Sequence, residues 1–326
     1  MPPLRNVIHP EYFQGARKYD RYFEGWYYKL VTADGSHTIA LIPGVSVNRD
    51  DPHAFVQVFV SRRADASTEL RTAYVRFDRS AFSASAAAFS ISVGTCRFDG
   101  GGLSVDLGDG RMRLSGEVRF SAVTPIRKTL FAPSIMGFFG YFGFLECYHG
   151  VYSMTHALSG TLLLDGKPVV FDGGKGYVEK DWGRSFPRSY VWIQSNHFTA
   201  PDASLMFSHA DIPFLGMRFQ GLIANLVAGG REYRFASYNL ARVVRADIGE
   251  GTVSYELRKG RLLLEIDARS DMAVGLPSPR EGRMVETIKE GLSGIVAVRL
   301  TCGKRVLFAD EGAHAGIEIM RAPRKG

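Results

Sequence analysis

The sequence predicts an all-β protein. Three observations carry this expectation. Short alternating apolar runs recur along nearly the whole chain, Gly and Asp turns separate them, and only one stretch has helical periodicity. The aromatic content, 22 Phe and 14 Tyr in 326 residues, suits strands and equally suits a pocket for an apolar ligand.

In chain order, "HAFVQVFVS" (53–61) sets Phe55, Gln57 and Phe59 against Val56, Val58 and Val60, apolar on nearly both faces. "TAYVRF" (72–77), "AFSISV" (88–93), "RMRLSGEVRFSAV" (111–123) and "GTLLL" (160–164) are short β-rich runs bounded by turn residues. In "GGLSVDLGDGRMRL" a Gly-Asp-Gly turn between two alternating runs predicts a hairpin. "SYVWIQSNHF", "ASLMFSHA", "GLIANLVAGGREYRFASYNLARVV", "TVSYELRKGRLLLEI" and "GIVAVRLTCGKRVLFADE" predict a second meander. The helical stretch is "PREGRMVETIKEGL" (279–292), with Met284, Val285, Ile288 and Leu292 on one face.

Between Lys128 and Glu146 lie 17 uncharged residues, "TLFAPSIMGFFGYFGFL". A spanning helix needs about 20 apolar residues. This run is shorter, contains Pro133, and has Gly137, Gly140 and Gly143 at every third place, which disfavours a helix. Two readings stay open: an apolar inter-domain connection under a pocket, or a greasy surface loop touching membrane. The strand content on either side places a domain boundary near residue 150, giving 1–150 and 151–326. The sequence contains no low-complexity segment and no repeat of 20–50 residues.

The net charge of +7 is spread along the chain apart from a small basic tail, "RAPRKG". With no basic helix, zinc-finger spacing or RNP-like run, a nucleic-acid partner is not expected, while peripheral contact with anionic lipid is compatible with the charge. Three distant cysteines, Cys96, Cys147 and Cys302, argue against a disulfide framework and a cysteine zinc site. The start, "MPPLRNVIHPEYFQG", lacks an apolar signal core, so a cytoplasmic location is expected.

The chemistry concentrates in "GGKGYVEKDWGRSFP" (173–187). Its glycines lack P-loop and dinucleotide-binding spacing, and G-x-S-x-G and H-E-x-x-H occur nowhere. His149 and His156, and His197 and His209, do not have standard ligand spacing, so no metal site is expected from spacing, while a cluster assembled only by folding stays open. What remains is carboxylates among aromatics: Glu24 in "YFEGWYYK", Glu146 in "FLECYHG", Glu179 and Asp181 in "YVEKDWG". On an extended chain Glu179 and Asp181 share one side and Lys180 takes the other. Two carboxylates on one apolar face favour a neutral acid at pH 7. Equally, Lys175, Lys180 or Arg184 can pair with them as a structural ion pair.

"YFEGWYYKLV" (22–31), "PSIMGFFGYFGFLECYHGVYSMTHALSG" (133–160) and "GGKGYVEKDWGRSFPRSYVWIQSNHF" (173–198) resemble the three signature blocks of the tocopherol cyclase family, over about 64 of 326 residues. That family is similar to the carotenoid 1,2-hydratases and to lipocalin-like pericyclases. The resemblance implies two lipocalin-like β-barrel domains with few helices and a ligand pocket near where they meet. Gly25-Trp26 resembles the lipocalin Gly-x-Trp signature without its spacer. It further implies protonation of a prenyl alkene and closure of a neighbouring phenol oxygen onto the tertiary cation, giving a chromanol without redox cofactor, nucleotide or metal.

On that reading Asp181 is the proton donor and Glu179 its coupled partner. Trp26 and Trp182 face the cation, and His149 and Asn196 orient the phenol or relay its proton. Glu24, Tyr28, Tyr148 and Trp192 complete the substrate-binding set, while Gly173, Gly174 and Gly176 bring the strand close to the pocket. The partner is a hydrophobic prenylated phenol or other isoprenoid. Two rivals stay open. A lipocalin-like carrier needs no buried acid, and an isoprenoid hydratase needs a polar, water-holding niche beside it.

Overall fold

The alternating runs become strands on nearly every count. A computed structural model of the chain describes residues 3–64, 67–270 and 272–321, so the basic tail beyond Arg321 lies outside the described residues. Strand covers 65% and helix 5% of the chain. The first sheet contains β1 (Tyr22–Val31), β2 (His37–Val47), β3 (His53–Ala64), β4 (Ser67–Asp78), β5 (Phe82–Ala84), β6 (Ser90–Val93), β7 (Cys96–Asp99), β8 (Gly102–Gly108), β9 (Arg113–Ser121), β10 (Cys147–Leu164), β11 (Lys167–Val170) and β12 (Lys175–Gly183). Its order is β4-β3-β2-β1-β12-β10-β9-β8-β7-β6-β5, with β11 beside β10.

The second sheet contains β13 (Tyr190–Ser195), β14 (His197–Phe198), β15 (Ser204–Phe214), β16 (Met217–Ala228), β17 (Arg231–Ala236), β18 (Arg242–Ile248), β19 (Thr252–Lys259), β20 (Leu262–Arg269), β21 (Val274–Arg280), β22 (Arg283–Cys302) and β23 (Arg305–Met320). Its order is β17-β16-β15-β13-β23-β22-β20-β19-β18, with β14 on β23 and β21 on β22. The architecture is the expected all-β, lipocalin-like one, but neither hydrogen-bonded ladder closes into a complete barrel.

Each sheet encloses its own core. In the first, Trp26, Tyr28 and Leu30 from β1, alternate residues Ala54 to Val60 of β3, and Phe98, Leu114 and Leu162 form one cluster. Because residues from both ends of the strand order meet in it, the sheet curls on itself. In the second, Ile193, Phe207, Leu226, Tyr255, Ile266 and Val298 do the same. On β3 the opposite face, Phe55, Gln57 and Phe59, is also buried, as its doubly apolar sequence requires.

Two compact units result, residues 1–186 with 277–287, and residues 187–276 with 288–326. The division expected near 150 therefore moves to 186, because β10 and β12 complete the first sheet against β9 and β1. The apolar run after Lys128 is not an inter-domain connection. It links β9 to β10 within the first unit, burying Ile135 and Leu145 while Leu130 and Phe131 remain exposed. No helix among the described residues is long and apolar enough to cross a membrane.

The expected helix at 279–292 is instead a hairpin of β21 and β22. Glu281 and Gly282 both take positive φ (48° and 77°), the two-residue turn that suits twisted strands. The strand's own pattern imitates a helix. The inward positions of β22 are Met284, Glu286, Ile288, Glu290 and Leu292, and two glutamates break the visible alternation, while Val285 points to solvent. A Cβ on Gly282 would meet the Tyr22 nitrogen at 2.2 Å, so the hairpin tip abuts β1 only because that residue is glycine. The Gly282 carbonyl accepts from Ser46 Oγ at 2.6 Å, and its N–H donates to the Arg184 carbonyl at 2.7 Å.

Candidate active site

β12 lies between β1 and β10, so its alternating side chains reach two different environments. Val178, Lys180 and Trp182 turn towards the core. Tyr177, Glu179 and Asp181 take the outer face, as extended geometry requires. On β10, His149 stands directly opposite Asp181 and Val151 opposite Glu179.

These residues form a line of polar groups. The Tyr177 hydroxyl donates to Glu179 Oε2. Glu179 Oε2 lies 3.3 Å from His149 Nε2, an ion-pair distance without hydrogen-bond alignment. His149 Nδ1 lies 2.9 Å from Asp181 Oδ1 and makes a hydrogen bond there. Burial alone disfavours the imidazolium, but the charges of Asp181 and Glu179 outweigh it and push the His149 pKa up to about 10. The ring is therefore cationic at neutral pH. Burial and Glu179 hold the Tyr177 phenol well above its usual value, so it stays a donor. Accessibility rises along the line, from 5% for the Glu179 side chain to 13% for His149 and 28% for Asp181.

Asp181 faces a gap. Its partner across the ladder is Gly25, which in turn faces Gly44. A Cβ on Gly25 would find Ile42 Cγ2 at 3.4 Å and nothing nearer, so the floor beside Asp181 is bare backbone. In a strand otherwise buried throughout, Gly25 alone is partly exposed.

The opposite side of β12 holds a closed ion pair. Lys180 pairs with Glu24, and the two side chains are 2% and 0% exposed. Its ammonium also donates to the carbonyls of Pro10 (2.8 Å) and Tyr12 (2.6 Å). It sits 4.6 Å and 4.7 Å from the ring centroids of Trp26 and Trp182. Burial lowers the Lys180 pKa to about 8 although Glu24 pulls it upwards.

Trp26 and Trp182 were expected to face a substrate cation. The cation they face is the protein's own. Trp26 Nε1 donates to the Glu11 carbonyl, so the whole arrangement fastens residues 10–14 onto the first unit. Glu24 belongs to this fastening, accepting from Lys180, the Tyr22 hydroxyl and the Gln14 N–H.

The remaining expected residues are dispersed. Tyr148 stacks on Trp182 (5.4 Å, 9°) and its hydroxyl ties down the preceding loop, donating to the Phe142 carbonyl and accepting from the Leu145 N–H. Tyr28 is fully buried among Phe89, Phe98 and Phe120. Trp192 and Asn196 belong to the second unit; both are buried, and Asn196 Oδ1 contacts His197 Nδ1 at 3.0 Å. The structural ion pair weighed for Glu179 and Asp181 does not form with Lys180 or Arg184, which pair with Glu24 and Glu281. Their partner is His149. Gly174 permits close approach to the backbone of β1, since a Cβ there would meet the Val31 carbonyl oxygen at 2.3 Å.

Tyr177 was missed, although its place two residues before Glu179 puts it on the same face. One ligand atom from each of His149, Glu179 and Asp181 lies within 4.8 Å of the others, which is compatible with a metal ion. The ring, however, presents one nitrogen to each acid and itself fills the space between them. An ion there would have to replace a ring proton.

The model of the tocopherol cyclase-like family matches residues 127–319, which include β10 and β12. The chloroplastic tocopherol cyclase of Zea mays is 30% identical over 89 residues, 27% of this chain and 18% of that protein. The chain thus matches under a fifth of that relative's length. Among solved structures, that of CghA with Sch210972 is similar with a TM-score of 0.58 at 11% identity, covering 92% of this chain and 89% of that one. Kievitone hydratase from Nectria haematococca gives 0.50 at 11% identity, covering 91% and 88%. At such identities these structures show a common fold.

Proposed function

Since the chain belongs to the tocopherol cyclase-like family, we propose that it is a cyclase that protonates a prenyl alkene on a lipid-soluble phenol and closes a chromanol ring. The observation that carries this reading is the line Tyr177–Glu179–His149–Asp181, whose accessible end faces bare backbone at Gly25.

Alkene protonation needs a strong acid in a dry place. In the working state the pair carries one proton more than at rest: with Glu179 keeping His149 charged, the protonated carboxyl of Asp181 gives its proton to one alkene carbon, leaving a tertiary cation on the other and a carboxylate on the enzyme. The His149 imidazolium, donating to that carboxylate, stabilises the product of proton transfer. The phenol oxygen then attacks the cation and its proton returns to Asp181, so the net change is an isomerisation. Glu179, held by Tyr177, keeps His149 charged and oriented. Buried aromatic and aliphatic neighbours on this face, Tyr27, Phe55 and Val151, exclude water that would trap the cation as an alcohol.

A carrier of the same molecules has no use for an imidazolium held between two acids, which favours chemistry over storage. The deciding experiment follows conversion of a prenylated hydroquinone in deuterated water. One solvent deuteron enters a former alkene carbon with the wild type, and none with Asp181→Asn. Tight binding without any product by the wild type would instead establish a carrier.

A further inference from the structure

The face that carries Glu179 also carries a buried polar atom without a partner, and a second lies on the segment that Gln57 holds. Opposite residues on neighbouring strands point the same way, and the pairing runs Val151–Glu179–Tyr27 across β10, β12 and β1, then Ile42–Gln57–Tyr74 across β2, β3 and β4. Tyr27 continues the register by which Gly25 faces Gly44 and Tyr28 faces Leu41, so it stands opposite Ile42. Gln57 and Glu179 therefore lie in one row, three strand spacings or about 14 Å apart.

Gln57 is 4% exposed and its Nε2 donates to the Pro277 carbonyl at 3.0 Å. That carbonyl can only accept, so it fixes the amide with its nitrogen inward and its oxygen turned away. Gln57 Oε1 has no partner. Ser278, next along the chain from Pro277, is 1% exposed and its hydroxyl has none either. Buried polar atoms are almost always satisfied by protein, water or ligand, because leaving one unpaired forfeits the hydration it had in the unfolded chain. The unpaired acceptor belongs to the residue that holds the Pro277 carbonyl, and the unpaired hydroxyl to the residue that follows Pro277. Phe55 and Tyr74, stacked at 5.1 Å, supply an aromatic wall beside them.

We infer that Gln57 and Ser278 form a hydroxyl-recognition point that sets which substrates the acid-bearing face accepts, an inference that rests on the proposed function. The hydroxyl gives its proton to Gln57 Oε1 and accepts one from Ser278 Oγ. It is not the oxygen that closes the ring, which must lie beside the alkene at Asp181. It is a second hydroxyl, on the edge of the head group remote from the reacting alkene.

The test measures binding in the full-length Asp181→Asn chain, where no turnover interferes. The probes are a prenylated hydroquinone and its ether methylated at the remote hydroxyl. The parent should bind the free hydroquinone roughly tenfold more tightly, since a site built for a hydroxyl rejects the analogue lacking it. Ser278→Ala and Gln57→Met should each abolish that preference, and Ser278→Ala should not lower the melting temperature. Equal binding of both probes by the parent would overturn the inference and assign the two atoms to a buried water. Preference retained in both variants would also overturn it, leaving Gln57 as a latch for residues 277–287. If the preference depends on Gln57 and Ser278 while Asp181→Asn turns over normally, this inference stands and the proposed mechanism falls. Absence of binding to either probe removes both.

Discussion

His149 Nδ1 lies 2.9 Å from Asp181 Oδ1, between residues 32 apart in sequence that face each other across two antiparallel strands. The ladder itself sets this contact, and the second ring nitrogen is taken up by Glu179 on the same strand as Asp181. Acid and cation are thus held by backbone register rather than by loops.

Replacing Asp181 by Asn keeps the shape and removes the ionisable proton. Turnover of a prenylated hydroquinone should fall at least about a hundredfold while its dissociation constant changes little. Wild-type turnover by Asp181→Asn would move the donor elsewhere.

The charge on His149 should appear in the pH dependence of stability. Its folded pKa, about 10, lies above the ordinary 6.5. The protonated ring therefore stabilises the fold in full below pH 6.5, progressively less between 6.5 and 10, and not at all above 10. The difference in unfolding free energy between wild type and His149→Gln should shrink over that window. A constant difference from pH 6 to 10 would show that the ring is not held as a cation.

Breaking the closed pair should cost far more than altering the open one. Lys180→Met leaves the Glu24 charge buried and releases the carbonyls of Pro10 and Tyr12, a loss of about 3–5 kcal/mol. Adding Glu24→Gln should restore part of it, and denaturant titrations of the two singles and the double give the coupling. Strictly additive effects would mean that the two groups do not interact.

Gly25→Ala separates fold from function. The new methyl meets nothing closer than 3.4 Å, so stability should hold or rise by about 0.4–1 kcal/mol. Because that methyl stands on the bare floor beside Asp181, kcat/KM should drop about tenfold or more. Unchanged kinetics would place the reacting carbon away from Gly25.

Strand alternation made most of the fold legible, and the parity of Glu179 and Asp181 against Lys180 followed from it directly. The hairpin at 279–292 did not, because inward glutamates at 286 and 290 imitate a helical polar face and Glu-Gly is an inconspicuous turn. The acid pair was legible while its partner was not. Sequence proximity suggested Lys180, but a strand sends neighbours to opposite faces, and His149 arrives from another strand. The tryptophans misled for the related reason that an aromatic beside a cation can serve the protein's own lysine. Gln57 and Ser278 carried no signal at all, since only folding brings residue 278 back onto β3.

That return has a consequence for synthesis. Strand β1 is made about 150 residues before its partner β12 and about 250 before the hairpin tip at Gly282. Until then the β1 edge, with Glu24 and Trp26 on it, stays unpaired on the nascent chain. Long-range pairing of this kind is slow and exposes an aggregation-prone edge. A ribosome-bound fragment ending before residue 277 should hold the first sheet without its final clasp, with Ser46 and Asn48 still open to solvent, and should recruit chaperones that the completed chain no longer needs.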